Sequence, residues 1–538
     1  MEEFTESEKK MLAPFMTNLD KPIFVLVNLP EVVKGALFSR YSRTTKSLRR
    51  VLLDEFILQP ETGFKEIVGH AEVRGVEQSV AIKKAEEFYD RVLVGYGDDS
   101  VAELASAHIA IEDLSNIATK FIQDRRIGLS PLEKSTRYVY FDQQRDGKWL
   151  YYREPTIMQS NYADAYVATC DKLFETYAKL IPKISEWVME RNPQGDATER
   201  AYKAATRAKT ADILRGLLPT STLTNMGAMG NGRAFEYLIT RMYASDLQEL
   251  RDIGSMMHSE LGKVIPSFVK RAGEKYGAEM QGYISTIEHN MQAIGRSLDH
   301  CNDAGDKIEL TSYDADAEKK IIAYILYQYS SQPLQELLKK AAAMPREERE
   351  KIIAAYVGQR QNRRQKPGRA FENTSYTFDL LANFGAYRDL QRHRVLTQTR
   401  QLLNCRHGYT LPKEIIESGY EADYTDVMQL AKQTWEQINE KMPGQAQYVV
   451  PFAYRIRWYF TLNLREAFHF CELRSMQQGH SDYRKIAQGM YTEINRVHPA
   501  FGKFMNFVDM KEYGMERLES EKKLDKKLQE MEKKYAKS

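Results

Sequence analysis

Leu390-Gln391-Arg392-His393-Arg394-Val395-Leu396-Thr397-Gln398-Thr399 sets two guanidiniums around one imidazole, behind an aromatic-rich run from Tyr376 to Tyr387. Arginine offers planar, paired donors that match a phosphate or a carboxylate. Taken alone, the triplet reads as a solvated basic turn or helix end as readily as an anion clamp. What separates the two is its place in a longer order of segments, which occurs twice in the chain.

The first occurrence begins at Lys21. Residues 22–28 form a compact apolar run that predicts a strand, and Pro30 opens a helical pattern through Val32, Val33, Ala36 and Leu37. Residues 77–93 predict another helix, and 95–100 a turn with Ser100 as N-cap. Asp124-Arg125-Arg126 follows, and then 133–141, whose alternation near its end predicts a strand. Long helices are predicted over 162–191 and 198–218, the second stopped by Pro219. Asn231-Gly232-Arg233 then opens a helix running to about Leu261.

The second occurrence keeps the order. Residues 307–314 answer the first strand and 317–330 the first helix. Residues 371–378 parallel 102–109, and Arg392-His393-Arg394 sits where Asp124-Arg125-Arg126 sat. A long helix through Trp435 leads to Pro451, and Asn463-Leu464-Arg465 opens the last helix. The Asn-x-Arg follows its proline by twelve residues both times, Pro219 to Asn231 and Pro451 to Asn463. A repeat of roughly 250 residues is too long for a solenoid and predicts a duplicated domain. The expected layout is a leader at 1–20, a first domain at 21–262, a linker at 263–306, a second domain at 307–514 and a charged helical tail at 515–538.

Composition narrows the class. The chain has 538 residues, 43% hydrophobic and 11% aromatic, as expected of several folded domains. Its 77 basic and 74 acidic residues give a net charge of +3. That near-balance argues against bulk, sequence-independent nucleic-acid binding but leaves local anion sites open. Four cysteines without a CxxC pair suit a reducing cytosol and argue against a disulfide scaffold or zinc ribbon. The acidic N-terminus lacks an apolar signal core, and no run is long and apolar enough to span a bilayer. The expectation is a cytoplasmic protein without membrane attachment.

The helix from Asn463 carries the most chemistry. Arg465 and His469 are four residues apart and share one face; Asn463 and Arg474 are eleven apart and share another. Polar, phosphate-competent groups on two faces, interleaved with Phe468, Phe470 and Leu473, are costly to bury without a ligand. There is no GxGxxG after a strand, no P-loop, no HExxH and no GxSxG elbow. Cys405 and Cys471 read as buried structural thiols. With no activated nucleophile and no metal motif in sight, the chemistry is expected to belong to a bound cofactor that the protein positions.

Both halves resemble the flavin-dependent thymidylate synthases, whose signature is Arg-His-Arg, seven residues, then Ser-x-Arg-Tyr. The first half has Ser135-Thr136-Arg137-Tyr138 with Glu133 two before the serine, and Arg215 four before Pro219. Its Arg-His-Arg is replaced by Asp124-Arg125-Arg126, and Met242 stands where the family has an arginine. The second half is the converse. It keeps Arg392, His393, Arg394, Asn463, Arg465, His469 and Arg474, with Leu402, Asn404 and Gln447 at the signature serine and at the two arginine positions.

The resemblance implies an α/β (α+β) fold: two tandem domains, each a small mixed sheet with long packed helices. It implies FAD as cofactor, dUMP as substrate, methylenetetrahydrofolate as carbon donor and NADPH as reductant. Arg392, His393, Arg394, Asn463, Arg465 and His469 would hold FAD; Glu133, Ser135, Arg137, Arg215 and Arg474 would hold dUMP. No protein nucleophile and no metal are expected. Family members are homotetramers with shared sites, so a dimer of tandem chains would mimic the tetramer. Two alternatives stay open. One is a degenerate paralogue that binds a nucleotide or RNA or scaffolds a partner, motivated by the missing signature residues and the basic run at 359–366. The other is a flavin-dependent methyltransferase acting on another acceptor.

Overall fold

The computed structural model describes residues 2–59, 101–295, 297–298 and 303–535. The helix expected over 77–93 and the turn at 95–100 lie outside the described residues. The fold is mixed α/β: small sheets among many helices. No described helix is long and apolar enough to cross a membrane.

The order of elements recurs along the chain. In the first repeat a 3-10 turn, Val101–Glu103, leads into strand Ser106–Leu114, helix Asn116–Gln123 and strand Leu129–Glu133. In the second, Arg369–Asn373 leads into strand Ser375–Asn383, helix Phe384–Leu390 and strand Leu396–Arg400. Long helices follow, Ala163–Arg191 in one and Glu421–Asn439 in the other. Each repeat then runs a strand into a helix: Thr224–Asn231 into Gly232–Tyr243, and Arg455–Asn463 into Leu464–Arg474. In both, the Asn closing the strand is the N-cap, its side chain accepting the backbone N–H of Ala234 or Glu466. That is why Asn-x-Arg recurs: the cap fixes the helix start and the arginine follows in the first turn.

The chain divides into two compact units that do not follow the linear halves. One comprises residues 1–113, 121–133 and 225–300; the other comprises 114–120, 134–224 and 301–538. In the first unit a three-stranded sheet orders Ser106–Leu114, Thr224–Asn231 and Leu129–Glu133 side by side, the last two antiparallel. In the second unit Lys307–Tyr313, Ser375–Asn383, Arg455–Asn463 and Leu396–Arg400 form a four-stranded antiparallel sheet in that order. The prolines that stop the long segments meet there. Pro219 bridges Pro451, with Thr220 N–H on Val450 O and Phe452 N–H on Leu218 O.

Three sequence expectations need correction. Residues 22–28 form no strand, only a single bridge from Leu26 to Met16. Ile23 and Val25 are exposed, so the apolar run has no sheet to join. The alternation at 137–141 is irregular chain; the strand lies earlier, at Leu129–Glu133, where Thr224–Asn231 gives it a partner. The helix from Asn231 breaks into Gly232–Tyr243 and Gln248–Leu261. The stretch read as a linker carries helix Lys275–Gly295. The tail is helical, Leu518–Tyr535, and is tied to helix Glu199–Leu214 by Asp525, which accepts from Thr198 and Arg200.

The core of the second unit is aromatic. Tyr376, Phe378 and Leu380 alternate inward on one strand, with Ile456, Trp458, Phe460 and Leu462 on the next. Trp458 packs edge-on against Tyr387 at 5.3 Å and against Phe460 at 6.1 Å, and Phe460 meets Phe470 at 5.6 Å. Edge-to-face pairs add roughly 0.5–1.5 kcal/mol each beyond area burial. They also fix helix Leu464–Arg474 on the sheet, which sets the site.

Candidate functional site

Phe470 continues that stack outward to His393, whose ring lies 4.6 Å away. The imidazole is gripped from both ends by residues two helical turns apart. Arg474 Nε donates to His393 Nε2 at 2.9 Å, and His393 Nδ1 lies 2.6 Å from Glu466 Oε1. Guanidinium cannot accept, so Nε2 carries no proton and Nδ1 donates to Glu466. The geometry therefore holds His393 neutral in its Nδ1–H form.

Burial pushes the Glu466 carboxyl up to about 7, against the pull of Lys366, Arg465 and Arg474. Burial, and then the charges of Lys366, Arg363, Arg474 and Arg465, push His469 down to about 4. His393, Glu466 and His469 offer ligand atoms within 4.8 Å of one another. Arg474 already occupies Nε2 of His393, and four cations bear on His469, so the region favours anions over a divalent cation.

Arg474 connects this group to the first repeat. The Tyr483 ring lies 5.8 Å from the Arg474 guanidinium and 5.6 Å from that of Arg137, whose Nη1 donates to the Tyr483 hydroxyl. Arg137 also forks onto Asp212, with Nε to Oδ1 at 2.7 Å and Nη2 to Oδ2 at 2.6 Å. Both side chains are under 10% exposed. Burial opposes ionisation of Asp212, but the charges of Arg137 and Arg215 hold it well below the usual carboxylate range. Arg215 Nη1 donates to Asp389 at 3.0 Å. Asp389 is held low in the same way: burial opposes, and Arg215, Arg392, Arg137 and Arg474 outweigh it. Arg388 donates to Thr136 at 2.9 Å. His480 Nε2 sits 3.2 Å from the Asp212 carbonyl and Nδ1 accepts from Asp482 N–H, which fixes its neutral Nε2–H form. The guanidiniums of Arg137, Arg215, Arg392 and Arg474 thus share one charged cluster with the carboxylates of Asp212 and Asp389.

Every residue of this cluster belongs to the second compact unit, although Thr136, Arg137, Asp212 and Arg215 come from the first repeat. Ser135 is half-buried nearby in sequence, its oxygen accepting the Arg137 N–H. Glu133 belongs to the other unit, where it accepts from Gln123 at 2.9 Å. Asn463 is spent on its cap, and Arg465 reaches Pro367 O at 2.8 Å and Glu372 at 3.2 Å. Arg392 and Arg394 are exposed. The basic run at 359–366 is not a solvated loop throughout: Arg360 is buried against Glu472 and Phe504 O.

Sequence reading missed Asp212, Asp389, Glu466, Arg388, His480 and Tyr483. Three had a signal. Asp212 and Asp389 each stand three residues before a chosen arginine, Arg215 and Arg392, and Glu466 stands three after Asn463. Arg388, His480 and Tyr483 had none.

A family model described as thymidylate synthase complementing protein matches residues 50–267 and again 309–500. The chain belongs to that family. It matches nearly full length with an UPF0159 protein of Chlamydia pneumoniae, 43% identical over 97% of this chain and 98% of the relative. An UPF0159 protein of Thermoplasma acidophilum is 34% identical over 91% and 97%. A flavin-dependent thymidylate synthase of Sulfurisphaera tokodaii is 27% identical over 25% of this chain and 55% of its own length. Among solved structures, a UMP/dUMP methylase PolB from Streptomyces cacaoi bound with 5-Br dUMP has a TM-score of 0.30 and 16% identity, over 38% of this chain and 96% of its own. The two matched segments of this thymidylate synthase-like chain correspond to the two runs of repeated elements.

Proposed function

We propose that the chain is an FAD-dependent thymidylate synthase, converting dUMP to dTMP with methylenetetrahydrofolate as carbon donor and NADPH as reductant. One observation carries the reading. Arg137 and Arg215 of the first repeat share a single charged cluster with Asp389, Arg392 and Arg474 of the second, inside one compact unit. Neither repeat holds the full set by itself, which supports a site drawn from both.

Several guanidiniums gathered in one cluster suit an anionic phosphate. In this proposal Arg137, Arg215, Arg474 and Ser135 take the nucleotide, with Glu133 assigned by family pattern alone. Arg392, His393, Arg394, Asn463, Arg465 and His469 take the cofactor. The residues present fit an anionic cofactor, because Lys366, Arg363, Arg465 and Arg474 act on His469 together. Bound FAD would supply the hydride that completes the methyl group. The chain's own part is to orient and to exclude charge. Arg474 keeps a proton off His393 Nε2 and Glu466 orients the ring through Nδ1, while Asp212 and Asp389 hold the guanidiniums of Arg137 and Arg215 in place before a ligand arrives.

The test is direct. The purified protein should be yellow or take up FAD, and should oxidise NADPH only when dUMP and methylenetetrahydrofolate are both present. Arg474→Ala should abolish that oxidation while the protein stays folded. A colourless protein that refuses added FAD sinks the proposal. A degenerate nucleotide-binding paralogue is favoured by one observation: Arg137 and Arg215 are already paired with carboxylates. Binding of dUMP without turnover by the FAD-loaded protein would select it.

A further inference from the structure

Helix Lys275–Gly295 belongs to the first unit and lies between the two segments matched by the family model. Its contacts with the rest of that unit are few and largely polar. Only Gly277 and Ile284 of its 21 residues are buried. Gln281 donates to the Ala272 carbonyl at 2.8 Å, and Glu288 approaches Arg241 at 3.6 Å. Gly277 sits so close to the Arg271 and Ala272 carbonyls that a Cβ there would clash with both. These contacts fix which face of the helix points outward.

That outward face is apolar. Tyr276, Tyr283, Ile287, Met291 and Ile294 are each 42–64% exposed, and Met280 among them is half-buried. Spacings of three and four residues place all six on one stripe. A surface helix ordinarily turns such a stripe to the core; here it faces water. Five side chains at roughly 100 Å² each bring about 1,000 Å² over two copies, the area that a specific interface needs. The stripe carries no charge, and on the helix Glu279 and Glu288 outnumber Lys275. A helix that lies on a membrane has a basic polar face instead, and a charged partner would need charges to meet. The stripe is complementary to itself. Turned antiparallel about its middle, the helix sets Tyr276 opposite Ile294, Met280 opposite Met291 and Tyr283 opposite Ile287. Each ring then meets an aliphatic branch, the helix dipoles run head to tail, and a two-fold axis closes the contact on two chains.

We propose that helix Lys275–Gly295 is a self-association face, which pairs two copies of this chain antiparallel through Tyr276, Met280, Tyr283, Ile287, Met291 and Ile294. The inference goes beyond the proposed synthase reading and does not rest on it: the helix belongs to one unit and the charged cluster to the other.

Sedimentation of the full-length protein tests it. Tyr283→Glu, at an exposed position, should weaken association about a hundredfold and halve the mass of the wild-type particle at the same concentration. Adding Ile287→Lys should restore the mass and make it fall with added salt, because antiparallel pairing sets the two new charges opposite each other across the seam. A wild-type particle of one chain overturns the inference, and so does a Tyr283→Glu particle of wild-type mass. Failure of the double variant to recover overturns it as well, since the seam then has no second copy in this register. Flotation of wild type with phosphatidylglycerol vesicles, lost with Tyr283→Glu while the mass stays the same, would replace the second copy by a lipid surface. Both variants should oxidise NADPH as wild type does. If wild type fails to oxidise NADPH and Tyr283→Glu still halves the mass, the synthase reading falls and this one stands.

Discussion

At the scale of single residues, the site is built from buried charges held in pairs. Arg137 and Asp212 show the cost of this arrangement. Removing one partner of a buried, forked pair leaves the other charge without compensation, which costs about 3–5 kcal/mol. Asp212→Asn is therefore expected to lower the unfolding free energy by that much, read as a lower urea midpoint at an unchanged m-value. A loss under 1 kcal/mol would mean that water reaches Arg137. His469 gives a pH signature. Its folded pKa sits near 4 against an ordinary 6.5, so between those values the unfolded chain binds a proton that the folded chain refuses. Stability must then fall as the pH drops through that window. His469→Asn should flatten the curve between pH 6.5 and 4, measured by urea unfolding across that range. The residue types were legible in the sequence: Arg392, His393, Arg474, Arg137 and Arg215 all enter the charged group. Their carboxylate partners were not singled out, because an aspartate three residues from an arginine is common on any helix.

At the scale of elements, the strand-to-helix junction is the unit that was repeated. Asn463 and Asn231 each cap a helix whose first turn carries an arginine. Replacing either by Ala should cost about 1 kcal/mol. The two substitutions should differ in consequence. Asn463→Ala loosens the helix that carries Glu466 and Arg474, so hydrogen exchange should quicken across 464–474 and NADPH oxidation should fall. Asn231→Ala should quicken exchange in 232–243 with no comparable loss. Equal loss from both would show that the site does not depend on the second junction. The duplicated order was legible because helix caps, prolines and apolar periods are local signals. The failures were local too. Residues 22–28 have the composition of a strand, but a strand exists only where another edge offers its N–H and C=O groups.

At the scale of the whole molecule, the compact units cross the repeat boundary. Residues 134–224 belong to the first repeat but cluster with 301–538. A chain cut in the 296–302 region should therefore give a first half that is only partly cooperative, with exposed apolar surface along 163–214, and a second half that binds dye. Co-expression of the two pieces should restore a single complex. Independent, cooperative unfolding of each piece would contradict this. The expected pairing of two tandem chains is tested by sedimentation, as a particle of twice 62.3 kDa.

The sequence by itself determined the duplication, the α/β class, the helix caps and the set of basic residues, since each is written in short-range pattern and chemistry. It also carried the resemblance that the family match then established. Only the tertiary structure decided that Arg137 and Arg215 meet Asp389 and Arg474, and that Glu466 and Arg474 fix the proton on His393. The reason is physical. Those facts depend on contacts between residues far apart in the chain, and on how much water burial leaves around each charge. No local period records either.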